Sequence, residues 1–459
     1  MSGSETPIRS AIRGVSWPSV PTARGAQLLS LLYQFEQTER WPAERLLEHQ
    51  LRQLRPLLSH AVATVPYYRE RLTAAGLEPK QPLTLDVFRS LPLLTRRDVQ
   101  SAGRAMHSVA VPKAHGQVGE ARTTGSTGEP VTVRRTQVDQ LLWEANTLRD
   151  HHWHKRDFSA KLALIRATGQ EAKPPHGLLL KNWGNPAAEL YETGPLVKLS
   201  SSADVVTQAQ WILRHDPDYL MVYPSLLRSL LAWFSTSGKR PTRLREIRTV
   251  GETVDASLRE ACHDVLGVPI VDGYSTEEMG YVALQCPVSG AYHVLSESVL
   301  VEIIGDNGKP CAPGEMGQVV VTGLHNFAMP MVRYVVGDYA EVGGPCACGR
   351  TLPTISRIVG KIRNLITLPS GKRYRPIFVK DMKGFPMIRQ YQMIQRSLED
   401  IEARLVVDKP LSAETEAHLR TVLQTAVGHA FHFSLVYFSG ELPRGPRDKF
   451  EDFISRLPA

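Results

Sequence analysis

Leu47, Leu51, Leu54 and Leu58 recur at three- and four-residue intervals and lay one apolar stripe along a predicted N-terminal helix. Pro66 ends that helix, because the residue before a proline is pushed out of helical geometry. Tyr67-Tyr68-Arg69-Glu70-Arg71 begins the next one. From Lys161 onward the pattern changes. Short apolar runs at Leu162–Ala167, Tyr219–Tyr223, Ile247–Val250 and Ile270–Val271 predict buried strands, with a crossover helix over Leu258–Leu266. Such alternation implies a parallel, doubly wound sheet. The β-rich runs Val299–Ile304 and Gln318–Thr322, joined through Gly305-Asp306-Asn307-Gly308, predict a small antiparallel unit. After Arg357, strand-like Tyr391–Gln395, Ala403–Val407 and Phe433–Phe438 surround a helix near Ala413–Val427. The chain thus reads as α/β, with a large multi-sheet domain over residues 1–360 and a small α/β domain over residues 361–459.

Composition narrows the class. The 459 residues exceed what one hydrophobic core supports, and 42% hydrophobic with 22% charged residues is ordinary for a globular protein. No apolar run reaches membrane-span length, and Met1–Val20 lacks the apolar segment of a secretory signal. Five cysteines do not make a disulfide framework, so a cytoplasmic location is expected. A net charge of +8, from 54 basic and 46 acidic residues, favours anionic partners. The clearest basic cluster is the acid-free run Lys361–Arg375; it lacks the aromatic interleaving of a nucleic-acid reader, and no nucleic-acid partner is expected.

Against this background one loop stands out. Thr123-Thr124-Gly125-Ser126-Thr127-Gly128-Glu129-Pro130 packs two glycines and four hydroxyls into eight positions, and Val131-Thr132-Val133 after it reads as a strand. Backbone N–H groups and small hydroxyls at that density can wrap a phosphate chain. Further along, Gly251-Glu252-Thr253 follows the strand ending at Val250, and Asp272-Gly273-Tyr274-Ser275-Thr276-Glu277 follows Ile270-Val271. Both fall where strands give way to loops, the place where open α/β sheets bind ligands. There Tyr274 can stack on a base, Thr276 can reach a phosphate and Glu277 can hold magnesium. In Arg333-Tyr334-Val335-Val336-Gly337-Asp338, the Asp338 carboxylate can accept from both hydroxyls of a ribose.

In this order the motifs resemble the adenylate-forming superfamily, and within it the phenylacetate–coenzyme A ligase branch with its relatives tied to capsule synthesis. The resemblance rests on Thr123–Pro130, Gly273-Tyr274-Ser275-Thr276-Glu277, Arg333–Asp338, Cys346-Ala347-Cys348-Gly349-Arg350-Thr351-Leu352-Pro353 and Leu442–Phe450, with Val65-Pro66-Tyr67-Tyr68-Arg69 near the start. It implies that Thr124, Gly125, Ser126, Thr127 and Gly128 close on the phosphates of ATP and that Gly251, Glu252 and Thr253 line adenine. It also implies that Tyr274 stacks on adenine, Thr276 binds phosphate, Glu277 ligates Mg2+ and Asp338 binds ribose. Lys449 would bridge the carboxylate and the α-phosphate from a mobile C-terminal domain. The implied reaction adenylates a small, aromatic carboxylic acid and passes the acyl group to a thiol, either coenzyme A or the phosphopantetheine of an acidic acyl carrier protein docked on the run from Lys361. A nucleotide-binding protein without turnover, and adenylyl transfer to a cofactor, stay open beside it.

Some positions depart from the family pattern. Glu129 stands where lysine is usual, Lys361 replaces an arginine, Arg363 replaces the hinge aspartate, and Asp448 precedes Lys449 where glycine is common. Glu277 and Glu278 also fit the acidic first turn of a helix. Cys286, His293, Cys346 and Cys348 form a Cys3His set suited to structural zinc, while Cys262 and Cys311 are expected only to pack. His151, His152 and His154, flanked by Lys155, Arg156 and Asp157, read as a solvated helix end without metal.

Overall fold

The computed structural model describes residues 7–457 apart from 78–81, 124–130, 168–169, 375, 377, 383, 441 and 444–450. The leucine stripe lies on the helix Ala43–Thr64, and Pro66 occupies the first turn of the helix Pro66–Ala74, where its missing N–H costs nothing. Leu54, Leu57 and Leu58 are buried with Tyr68, Phe88, Leu94 and Tyr334, and Leu47 and Leu51 pack at the margin.

β1 (Val118–Thr123) and β2 (Val131–Thr136) form an antiparallel hairpin, and the hydroxyl-rich loop that joins them in sequence lies outside the described residues. The central sheet takes β3 (Leu162–Arg166), β4 (Leu178–Leu180), β5 (Leu196–Ser200), β6 (Tyr219–Val222), β7 (Glu246–Thr249) and β8 (Ile270–Thr276). It continues through β9 (Gly280–Gln285), β10 (Tyr292–Val294), β11 (Val299–Ile304), β12 (Met316–Gly323), β13 (Tyr334–Val342) and β14 (Thr354–Lys361). The strand order is β11-β12-β13-β14-β10-β9-β8-β7-β6-β3-β5-β4. The expected antiparallel unit is therefore no separate body. It is one edge of a twelve-stranded mixed sheet, continuous with the parallel part because β8 pairs parallel with β7 at Ile270–Asp272 and antiparallel with β9 from Gly273.

Helices cover both faces of the parallel part. Val205–His215, Pro224–Ser237 and Ala256–Leu266 bury Trp211, Leu227 and Leu258 against Ile165, Leu220 and Ile247. On the other face Leu142 and Leu148 of the helix Gln137–Trp153 pack with Leu28 and Trp183. Asp204 and Asp255 cap two of these helices by accepting from the N–H groups of Thr207 and Leu258 at 2.8 and 2.9 Å.

Beyond Lys361 come a short 3-10 turn, Ile362–Asn364, and a two-stranded ribbon of β15 (Ile366–Thr367) and β16 (Arg373–Tyr374). A second sheet follows, with β17 (Ile388–Gln395), β18 (Asp400–Val407), β19 (His432–Phe438) and β20 (Phe453–Ser455) in the order β19-β18-β17-β20. The helix Ala413–Val427 closes it over Met393, Leu405, Phe433 and Phe453. No helix among the described residues is long and apolar enough to cross a membrane.

The histidine cluster is a solvated helix end only in part: His152 and Lys155 are exposed, while other members turn inward. His151 and Arg156 are buried, and Arg156 pairs with Asp150 and with Glu246 of β7, both at 2.7 Å. Arg248 joins the same Asp150, so the helix Gln137–Trp153, the segment after it and β7 are bound by one internal charge network. Burial, with Arg248 and Arg156 beside it, holds His151 neutral, well below the usual imidazole range.

Candidate functional site

The site grows from the point where the sheet changes from parallel to antiparallel pairing. Asp272–Thr276 belongs to β8 itself instead of to a loop after it, because the partner strand β9 supplies ladder bonds through Thr276↔Gly280. Within this strand Asp272 is buried. Thr249 Oγ1 donates to its Oδ1 at 2.9 Å, Tyr292 OH to its Oδ2 at 2.9 Å, and its own N–H donates to Gln285 Oε1 at 2.8 Å. Burial outweighs these donors and pushes the Asp272 carboxyl up to about 6.

The folded state therefore holds this proton more tightly than the unfolded chain does. The contribution is full below about pH 4 and is lost as pH rises through about 6. The stability of the wild type relative to Asp272→Asn should fall by about 3 kcal/mol between those limits, as read by urea denaturation at each pH. A difference that stays flat with pH would contradict the burial argument.

After β7, Gly251 takes a positive φ of +74° and turns the chain sharply. Glu252 then points back to the start of the helix Pro224–Ser237, where its carboxylate accepts from Ser225 N at 2.8 Å and Ser225 Oγ at 3.1 Å. A carboxylate there meets the positive end of the helix dipole. Its side chain is thus committed to the scaffold, and the backbone of residues 251–253 forms the edge; Thr253 is half-buried.

Tyr274 is 7% exposed and packs among Val282, Ala283, Val319 and Ala340. Its hydroxyl donates to Asp338 Oδ2 at 2.8 Å, bridging 64 residues of sequence. The ring is engaged by the core of the antiparallel region, and its polar tip holds Asp338. Asp338 and Lys361 face each other across β13 and β14, so Lys361 Nζ reaches Asp338 Oδ1 at 2.9 Å and the Val336 carbonyl at 3.0 Å. Both carboxylate oxygens are engaged, and a ribose would bind by sharing them. Gly273 and the exposed Ser275 alternate with Tyr274 along β8.

Glu277 and Glu278 do not start a helix. They lie in the tight turn between β8 and β9, which Thr276 Oγ1 closes by accepting from Met279 N at 3.0 Å. The turn sends the two carboxylates different ways. Glu278 Oε1 pairs with Arg96 Nη1 at 3.1 Å, whereas Glu277 is exposed at the tip. Arg135, on β2, donates to the Glu277 carbonyl. Arg96 and Arg135 thus put two cations beside this turn. Neither was found by motif, since their partners lie 182 and 142 residues away. A cavity next to the turn is lined by Arg135, Trp143, Glu278, Tyr281 and His325.

Cys286, His293, Cys346 and Cys348 converge, with their ligand atoms all within 4.8 Å of one another. Cys286 Sγ and Cys346 Sγ are 3.7 Å apart, and His293 Nε2 is 3.2 Å from Cys348 Sγ. Tetrahedral zinc with bonds of about 2.3 Å sets sulfur atoms about 3.8 Å apart, so the donor set fits that ion in type, number and spacing. The His293 ring is buried, and its Nδ1 lies 3.4 Å from the Leu352 carbonyl, which orients Nε2 toward the thiols. Tyr292, one residue from His293, is the donor to Asp272, so the cluster anchors the hairpin that supports the site.

Lys449 and residues 124–128 lie outside the described residues. In the run from Lys361, Lys361 is tied to Asp338 and Arg363 to Glu451 at 2.9 Å, while Lys372 is exposed.

No family model matches the chain. It is 25% identical over 422 residues to a phenylacetate-coenzyme A ligase of Thermus thermophilus, covering 88% of this chain and 90% of that protein. A phenylacetate-coenzyme A ligase of Pseudomonas putida is 27% identical over 387 residues, covering 82% and 79%. Among solved structures, 2-hydroxyisobutyryl-CoA ligase in its postadenylation state superposes with a TM-score of 0.73 at 18% identity, over 92% of this chain and 91% of that one. The same ligase in its thioesterification state gives 0.59 at 19% identity, over the same shares.

Proposed function

We propose that this chain, a homologue of the phenylacetate–coenzyme A ligases with the fold of the adenylate-forming superfamily, is an AMP-forming acid–thiol ligase. The observation that carries the reading is the Tyr274–Asp338–Lys361 linkage. It joins two motifs far apart in sequence into one wall, beside an exposed carboxylate at Glu277.

In the first half-reaction a carboxylate oxygen of the acid attacks the α-phosphorus of ATP, the bond to the bridging oxygen breaks, and pyrophosphate leaves. Asp338 and Lys361 hold the ribose, and the edge at Gly251, Glu252 and Thr253 meets adenine. The Thr276 hydroxyl accepts within its own turn and keeps its proton to donate to a phosphate oxygen. Glu277 would hold Mg2+, which when bound spreads the negative charge of the phosphates. Arg96 and Arg135 lie beside the Glu277 turn, where Arg96 is paired with Glu278 and Arg135 with Asp139. Lys449, with the loop Thr124–Gly128, completes the phosphate shell. In the second half-reaction a thiolate attacks the acyl carbon and AMP departs with the bonding pair. The Cys3His cluster holds a structural zinc.

Coenzyme A is the favoured acceptor. The relatives it resembles are coenzyme A ligases, and in the basic run Lys361 and Arg363 are paired with Asp338 and Glu451 while Lys372 is exposed. The test is incubation with ATP, Mg2+ and a panel of aromatic and aliphatic acids, with either coenzyme A or a phosphopantetheinylated carrier as acceptor. Mass spectrometry should find an acyl-coenzyme A together with AMP. Acylated carrier alone would reverse the choice of acceptor, and no thioester with any acid would remove the ligase reading.

A further inference from the structure

Arg363 stands at the junction between the two sheets, in the 3-10 turn that follows β14. Its Nε and Nη2 donate to Glu451 Oε1 at 3.1 and 2.9 Å. Asn364 Nδ2 adds a third donor to the same oxygen at 3.2 Å and reaches the Phe453 carbonyl at 2.7 Å. On the other side, Gln392 Nε2 donates to the Glu451 carbonyl at 2.9 Å and Met393 N to the Asp452 carbonyl at 2.8 Å. Five donors from two elements therefore converge on Glu451, Asp452 and Phe453 at the start of β20. Charge-assisted bonds to one carboxylate are stronger and more directional than neutral ones. Glu451 is two positions from Lys449. A packing role alone would not need an arginine at the junction, since β20 already pairs with β17 from Met393 to Gln395.

We propose that Arg363, Asn364 and Glu451 form a positioning clamp for the first half-reaction, tying the chain next to Lys449 to the junction between the sheets. The inference rests on the ligase reading and adds a residue-level device to it. Its consequence is selective. Adenylation needs a cation placed on the α-phosphate, whereas displacement of AMP by a thiol does not, so loss of the clamp slows the first step and spares the second.

The test uses the full chain with phenylacetate, benzoate and 2-succinylbenzoate. Adenylation is read by pyrophosphate release, and thioester formation by adding the matching synthetic acyl-adenylate with coenzyme A. Glu451→Gln and Arg363→Gln should each slow adenylation by about tenfold or more and leave thioester formation within about twofold. The exchanged pair, Arg363→Glu with Glu451→Arg, should recover much of the loss, and thermal melting checks the fold of every variant. Equal loss in both steps, no loss, or a folded exchanged pair that recovers nothing overturns the clamp. A wild-type chain that performs neither step with any acid overturns the ligase reading and the clamp together.

Discussion

Replacing Lys449 with alanine is expected to slow adenylation by about 10²- to 10³-fold while ATP affinity changes by less than about threefold. Negative charge gathers at the α-phosphorus as the acid attacks. A fixed ammonium stabilises that arrangement more than the ground state, so its loss appears in the rate and little in binding. Single-turnover pyrophosphate release, paired with equilibrium binding of ATP, separates the two quantities. Thioester formation from supplied acyl-adenylate should persist. An unchanged adenylation rate would remove Lys449 from the reaction, and a parallel loss of ATP binding would make it a ground-state contact.

Zinc carries the second large effect. Protein purified without added metal should contain about one equivalent of zinc per chain, and stripping it should lower the melting temperature by about 10 °C or more. Four ligands are drawn from the β9–β10 hairpin and the loop before β14, and the thiols themselves meet through weak contacts such as Cys286 to Cys346, which a metal would replace with four strong bonds. Cys346→Ser should reproduce the loss. With the metal bound by four protein ligands no position is left for substrate, so activity should fall with the fold and not ahead of it. Less than about a tenth of an equivalent, with all five thiols reactive, would refute the site.

Much of the architecture was legible because it is written in local periodicity. The strand Val299–Ile304 and the helix Ala413–Val427 form over the residues their patterns suggest, and the four expected parallel strands β3, β6, β7 and β8 begin within a residue of expectation, whereas the parallel strand β5 at Leu196–Ser200 was not foreseen. Where the reading failed, the deciding partner was remote. Asp272–Thr276 is too polar to announce a strand, and it becomes one because β9 returns to pair with it. Arg156 looked solvated until Asp150 and Glu246 closed around it, the latter 90 residues away. In the basic run, Lys361 and Arg363 find Asp338 and Glu451 within the chain, pairings no local pattern shows, while Lys372 stays exposed. Site motifs were visible as residue types, but the commitment of Tyr274 to Asp338 and of Glu252 to a helix start required the fold.

In the proposed reaction a carboxylate is activated by direct attack on the α-phosphorus of ATP. Acid-dependent exchange of labelled pyrophosphate into ATP, measured without any thiol, tests that step alone. Exchange is expected with at least one small carboxylic acid, with formation of AMP and not ADP, and none when the acid is left out. Tight ATP binding with no exchange across the panel, or release of ADP and phosphate, would contradict it.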